Sequence, residues 1–319
     1  MTNVMAPRTL GTSDLVISAV GMGCNNFSRP GSPTATQEPS TRVILAAVDA
    51  GVTFFDGAEL YGAEPGLSET YMGVALKDRR DEVVLSTKWG HTGAAPGDLA
   101  QHGPRGSRAH IRAAIEGSLR RLQTDRIDLY QMHEPDPSVP IEETLGALHE
   151  LVQEGKVREI GHTNFTPAQL READSAANRE GTVRFVSAQD EYSLLHREVE
   201  AEILPACVDL GLGFFPYFPL YNGLLTGKYR EDAGEGRITR QKPHLLEEVN
   251  WEQLEAYRAI CERVGSPMVQ VSIAWLLAQP GVASVIAGAT TEDQVVQNAG
   301  AAQLELEAAT VKEISALFG

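Results

Sequence analysis

Ile127-Asp128-Leu129-Tyr130-Gln131-Met132 is a short apolar run; the amphipathic stretch Ile141–Glu154 follows it, and then Glu159-Ile160-Gly161-His162-Thr163. A short run, a longer segment of helical period and a second short run make a strand–helix–strand unit. Working outward, the same alternation continues in both directions. Ala19–Gly23, Val52–Asp56 and Val83–Lys88 read as strands before it, and Phe185–Gln189, Gly213–Tyr217 and Val282–Ile286 after it. Arg42–Ala50, Arg108–Leu122 and Gln253–Arg263 read as helices between them. Strands that each lead into a helix predict a closed parallel (β/α)8 TIM barrel, with residues 1–319 as one domain.

Helix starts carry their own marks. Thr166-Pro167-Ala168-Gln169 offers an N-cap, a proline at the first helical position and a capping-box glutamine. Ser266-Pro267 is expected to do the same for Met268–Leu277, and Thr291 with Gln294 for the helix after the eighth strand. Ahead of the array, Thr9-Leu10 and Leu15-Val16-Ile17 flank Gly11-Thr12-Ser13-Asp14 and predict an N-terminal β-hairpin, a candidate plug for the barrel's bottom. The long Gly/Pro-rich connections Asn25–Pro39, Gly90–Ser107 and Asn222–Asn250 all follow strands. On an α/β barrel such loops rise from the carboxyl face and predict a deep pocket there.

Charge and cysteine content narrow the class. Lys plus Arg number 27 against 43 Asp plus Glu, a formal charge of −16 that argues against nucleic acid or an anionic membrane as partner. Cys24, Cys207 and Cys261 share no CxxC spacing, so neither a disulfide framework nor a structural zinc is expected. Met1 to Gly11 lacks a signal peptide's apolar core, and no run of about 18 apolar residues could span a bilayer. The expected setting is cytoplasmic. No GxGxxG opens a helix after a strand, and HExxH, Walker A and GxSxG elements are absent, so no metal site is expected. Oligomeric state leaves no signal in the pattern.

The chemistry gathers at three successive strand ends. The second gives Phe54-Phe55-Asp56-Gly57-Ala58-Glu59-Leu60-Tyr61-Gly62, the third Leu85-Ser86-Thr87-Lys88-Trp89-Gly90, the fourth Leu129-Tyr130-Gln131-Met132-His133. Taken singly, a lysine ending a strand is as often a surface charge, and a tyrosine or histidine there as often core. Together they bring a carboxylate, a phenol, an ammonium and an imidazole to one face. A phenol with a pKa near 10 is a poor donor at neutral pH. A neighbouring ammonium favours the phenolate, a carboxylate can hold the ammonium, and an imidazole can position a carbonyl oxygen. The set suits protonation of an alkoxide as it forms.

Phe55-Asp56-Gly57-Ala58-Glu59-Leu60-Tyr61-Gly62 resembles the aldo-keto reductase signature; Thr87-Lys88 and Gln131-Met132-His133 match its lysine and histidine positions. The likeness covers nearly the whole chain, since Glu142-Glu143-Thr144-Leu145 through Glu154-Gly155-Lys156-Val157-Arg158 also follows the pattern. The resemblance implies reduction of aldehydes or ketones by NAD(P)H. Tyr61 would be the proton donor, Lys88 and Asp56 its tuning pair, and His133 the orienter of the carbonyl.

The same resemblance places a cofactor. Gly161-His162-Thr163-Asn164-Phe165 is similar to the family's Gly-x-Ser-Asn-Phe element, with Thr163 for serine. Asn164 and Gln189 would grip a nicotinamide carboxamide and Tyr217 would stack under the ring. Phe218, Pro219, Leu220, Asn222 and Lys228 fall in the segment that resembles the pyrophosphate loop. Gly288 and Thr290 open the last helix of the pattern, whose N–H groups suit an anion. Gln294, Gln297 and Asn298 match positions near the adenosine, and Cys24 and Asn25 match cofactor-side positions at the first strand end.

Two departures bear on the cofactor. Phe218 stands where many relatives carry serine, and Gly288 and Gln294 where some place Lys and Arg around a 2′-phosphate. NADP(H) is still favoured over NAD(H), with Lys228 and Arg230, Arg237 or Arg240 as alternative sources of charge. By position, Phe27, Trp89 and His91 are expected to line the substrate pocket, which points to an apolar or aromatic carbonyl compound, though Trp89 fits core packing equally well. Two other roles fit the same barrel: a non-catalytic NADP(H)-binding partner protein, since the family includes the potassium-channel β subunits, and a Schiff-base lyase using Lys88.

Overall fold

The computed structural model describes residues 5–93, 96–97, 99–230, 238 and 244–319. Pro7–Thr9 (β1) and Val16–Ser18 (β2) form the antiparallel hairpin, paired Pro7 to Ser18 and Thr9 to Val16. The other strands are Val20–Gly23 (β3), Phe54–Asp56 (β4), Val84–Trp89 (β5), Ile127–Met132 (β6), Val157–Thr163 (β7), Phe185–Glu191 (β8), Gly213–Tyr217 (β9) and Val285–Gly288 (β10). They form one eight-stranded sheet in the order β10-β3-β4-β5-β6-β7-β8-β9, every neighbouring pair parallel. A parallel bridge from Phe214 to Val282 joins the two ends, with Phe214 N donating to Gly281 O at 2.8 Å. The sheet is thereby closed into a (β/α)8 TIM barrel.

Period-two alternation then sorts the side chains. Phe54, Leu129, Phe215 and Ile286 fill the interior, Phe54 and Phe215 stacking with centroids 4.8 Å apart. Leu10, Leu15 and Ile17 of the hairpin join that cluster and cork its amino end. The outward residues meet the surrounding helices in the larger core, where Val43, Ile44, Ile111, Ile115, Leu145 and Leu148 are buried. No helix of the described residues is long and apolar enough to cross a membrane.

Several boundaries differ from the sequence expectation for local reasons. The eighth strand is Val285–Gly288 rather than Val282–Ile286, because Val282 is spent on the closing bridge. The first helix begins at Gln37, so the loop after β3 ends before Pro39, whose missing N–H costs nothing in a first turn. Thr166 caps Pro167–Glu180 with the full capping box. Ser266 does not cap Met268–Leu277: Pro267 holds the cap position, and Ser266 N instead closes the preceding helix on Cys261 O at 3.2 Å. Thr291 caps Glu292–Gly300 through Gln294 N, while the Gln294 side chain reaches back to Thr290.

Candidate active site

The last inward positions of the strands face one another at the carboxyl end. Asp56 closes β4, Lys88 is inward on β5, Gln131 on β6 and Gln189 on β8. Lys88 Nζ donates to Asp56 Oδ2 at 2.6 Å and to Gly57 O at 2.9 Å, with both side chains all but sealed from solvent. The other Asp56 oxygen accepts from Gln131 Nε2 at 3.1 Å, Gln189 Nε2 at 3.2 Å and Ser86 Oγ at 3.4 Å. Lys88 Nζ also lies 5.4 Å from the Tyr61 ring centroid. The His133 ring meets Tyr61 edge-on, centroids 6.0 Å apart. The structure thus brings Asp56, Tyr61, Lys88 and His133 together.

Electrostatics divides the four. Burial pulls the Lys88 ammonium down, but Asp56 and Tyr61 outweigh it and the net direction is up, so it stays charged. Burial pushes the Tyr61 phenol up, and Lys88 only partly offsets this. Here the structure differs from the sequence argument, which weighed the ammonium and not the cost of a buried phenolate. His133 is held well below the ordinary imidazole value by burial, then by Lys88 and His91, and is therefore neutral.

The main chain behind His133 is fixed from β7 and its following turn. Its carbonyl accepts from Thr163 Oγ1 and from Asn164 Nδ2, the latter at 3.0 Å. Asn164 sits in the left-handed region (φ 60°), donates its N–H to Gln189 O at 3.1 Å, and accepts from Tyr217 Oη at 3.0 Å. A non-glycine residue there is uncommon and asparagine is among those that tolerate it best.

From Tyr61 and His133 a cavity of about 740 Å³ runs across the carboxyl face. Its wall includes Cys24, Asn25, Thr163, Asn164, Gln189, Tyr217, Phe218, Pro219, Leu220, Asn222, Lys228, Gly288, Thr290, Gln294, Gln297 and Asn298, all of the expected cofactor positions. His91 also lines it. Phe27 and Trp89 do not: neither has exposed surface, and both lie in the outer core. Trp89 follows inward Lys88, so alternation turns it outward, where it stacks on Tyr130 with centroids 4.4 Å apart. Phe27 N–H closes a turn on Cys24 O at 3.4 Å, and its side chain is buried in that core.

A model of the aldo/keto reductase family matches residues 19–318. The chain belongs to the aldo/keto reductase family. It is 36% identical over 318 residues to "Uncharacterized oxidoreductase YrpG" of Bacillus subtilis (strain 168), covering 97% of this chain and 94% of that protein. It is 36% identical over 313 residues to "Probable voltage-gated potassium channel subunit beta" of Oryza sativa subsp. japonica, covering 92% and 90%. "Probable aldo-keto reductase 1" of Glycine max is 33% identical over 313 residues, covering 97% and 87%. The family is one of oxidoreductases that generally use NAD(P)H.

The cavity's polar lining, acceptors as well as donors, fits such a dinucleotide. Asn222 (φ 57°) lines it with Oδ1 buried and unpartnered, and Phe218 and Tyr221 beside it also have positive φ. Strain of that kind costs about 1–3 kcal/mol per residue and collects at ligand-binding loops. A Cβ on Gly288 would meet Asn26 Nδ2 at 2.8 Å, so the glycine leaves room for the Asn26 side chain in the wall. Of the cationic residues expected to help, Lys228 lines the cavity with its Nζ 5.0 Å from the Tyr229 ring centroid. Arg230 is turned to Gly227 O at 2.8 Å and to Glu255. Arg237 and Arg240 lie outside the described residues.

Sequence reasoning missed Asn26, Leu60 and Glu134 in the wall. Glu134 accepts from Thr92 N at 2.9 Å and lies 3.3 Å from His91 Nε2, whose ring packs on His133 at 4.9 Å between centroids. Its signal was legible: it is the charged residue directly after His133, where a strand of a barrel passes into its loop.

Proposed function

We propose that the protein reduces small aldehydes or ketones to alcohols with NAD(P)H, NADP(H) favoured, in the cytoplasm. The observation that carries this reading is the half-buried Tyr61 side chain, set between the Lys88–Asp56 pair and neutral His133 at one end of a cavity whose polar lining suits a dinucleotide.

When bound, the dinucleotide supplies the hydride. Tyr61 gives its hydroxyl proton to the oxygen of the carbonyl as negative charge develops there. The raised phenol pKa keeps that proton in place until the far more basic alkoxide forms. Lys88 stabilises the phenolate left behind, and Asp56 keeps Lys88 charged and aimed. Neutral His133 offers an uncharged hydrogen-bonding group to the same oxygen. Tyr217 and Asn164, already bonded to each other, would flank the nicotinamide. Lys228 is the one Lys or Arg lining the cavity among the described residues, and supports the preference for the extra phosphate.

The test is NADPH oxidation across a panel of aldehydes and ketones, with Tyr61→Phe beside the native protein. Turnover should vanish in the variant while NADPH binding, read by fluorescence quenching, remains. Full turnover in Tyr61→Phe would overturn the proton-donor assignment. Tight NADPH binding with no turnover on any carbonyl would assign the chain a non-catalytic binding role instead.

A further inference from the structure

Glu59 lies in the loop between Asp56 and Tyr61 and has no exposed surface. Its backbone N–H donates to Lys88 O at 3.0 Å, and its Oε1 accepts from Gly90 N–H at 2.9 Å. One residue therefore clasps the main chain on both sides of Trp89, immediately beyond the Lys88 ammonium. Its other oxygen, Oε2, is buried with no partner.

The groups facing it come from three elements. Glu69 lies on the helix Leu67–Leu76 and Arg121 on Arg108–Leu122, and they are bonded to each other at 2.7 Å. Glu69 also takes the Thr87 hydroxyl at 2.6 Å, so Arg121 is committed elsewhere. Tyr130 of β6 has a buried, unpartnered hydroxyl, and Glu59 is the charge that raises it most. Burial pushes the Glu59 carboxyl up to about 7, Glu69 adds to the rise, and the Gly90 N–H and Arg121 offset it only in part.

Resting on the reading of Tyr61 as proton donor, we propose that Glu59 is a positioning residue: its carboxyl clasps the Tyr61 loop to Gly90, just past the strand end that carries Lys88, and a full charge on that buried carboxyl loosens the clasp. An ionised carboxylate with one partner in an apolar box is costly, and the cost falls when water enters or the loop shifts. Lys88, Asp56 and Arg29 are charged groups that act on Tyr61, and Glu59 is not among the causes of its shift. Glu59 thus works through the backbone and not through its field. A shift of this loop changes the distance between Tyr61 and Lys88, and displacements near 1 Å can cost about 100-fold in rate.

The experiment compares native protein, Glu59→Gln and Glu59→Ala from about pH 5 to about pH 9, measuring kcat, NADPH affinity and the carboxyl infrared bands of the cofactor-free protein. Native kcat should fall above about pH 7, while Glu59→Gln, a fixed neutral mimic, should hold its rate and exceed native by about tenfold at the alkaline end. Glu59→Ala should run at least about tenfold below Glu59→Gln in kcat at every pH, and below native at the acid end, with NADPH affinity unchanged within about twofold. The native-minus-Gln infrared difference should show a carboxyl turning to carboxylate near pH 7; Asp190, which also lies near 7, cancels in that difference. A Glu59→Gln profile that follows native, native kcat in Glu59→Ala, or a flat infrared difference would each overturn the proposal. Should Tyr61→Phe keep turnover, the proton-donor reading fails alone, because the infrared arm does not depend on catalysis.

Discussion

Lys88 and Asp56 form a buried ion pair whose two halves are unequally supported: without Lys88, Asp56 keeps the three donors Gln131, Gln189 and Ser86, but without Asp56, Lys88 keeps Gly57 O and the neutral Tyr61 phenol. Removing one partner of a buried pair costs about 3–5 kcal/mol, chiefly for the charge left behind. Asp56→Ala should therefore destabilise the fold by about that much, and Lys88→Met by clearly less. Urea denaturation of both variants reads this directly. Equal losses, or a larger one for Lys88→Met, would show that the amide and hydroxyl donors do not support Asp56.

Among the described residues, the proposed NADP(H) preference rests on one side chain. Lys228 lines the cavity, whereas Gly288, Gln294, Gln297 and Asn298 are neutral. Lys228→Ala should weaken NADPH by about tenfold, the scale of one charge-assisted contact, and NADH by much less. Isothermal titration with each dinucleotide decides. An equal loss for both places the ammonium on a phosphate that the two cofactors share.

How far the sequence could be read followed from which physical signal each residue carries. Inward strand ends were legible because alternation and strand endings are local, and Asp56, Lys88, Gln189 and Tyr217 emerge where that pattern puts them. Trp89 and Phe27 misled because nearness in sequence to the site stood in for parity: one position past Lys88 is the opposite face of the sheet. Ser266 misled because it belongs to the closing turn of the preceding helix, its N–H on Cys261 O, and Pro267 takes the cap position of the next. The direction of the Tyr61 shift needed burial, which the composition of its neighbours does not reveal.

The hairpin cork yields a prediction remote from the chemistry. Gly11 has φ 53°, and a Cβ there would stand 2.5 Å from Val186 O and 2.8 Å from Gly211 O. Backbone oxygens cannot swing aside as a side chain could, and the left-handed conformation adds its own penalty. Gly11→Ala should cost about 2 kcal/mol or more while leaving kcat largely intact, since the hairpin corks the end opposite the cavity. Thermal denaturation with a parallel activity assay checks both halves. A variant as stable as native would mean that the turn is free of the barrel.

His162 gives the pH dependence with a defined sign. It has no exposed surface, both ring nitrogens lack partners, and its ring lies among Phe165 and Phe185. Burial lowers its pKa from 6.5 to about 3 in the folded protein. Between those values the unfolded chain binds the proton and the folded one does not, so stability rises with pH there and is lost as pH falls from 6.5 towards 3. The slope from this one group approaches about 1.4 kcal/mol per pH unit. Glu59 and Asp190, each raised to about 7, act in the opposite sense at the acid-to-neutral boundary: the folded state takes up their protons, and stability falls as pH rises towards 7. The native curve therefore mixes signs, and His162→Phe isolates the imidazole because the carboxyls are common to both proteins. The variant's advantage in urea denaturation should be small at neutral pH and widen steadily through the acid range. A difference that stays constant with pH would mean that the buried ring finds a proton acceptor after all.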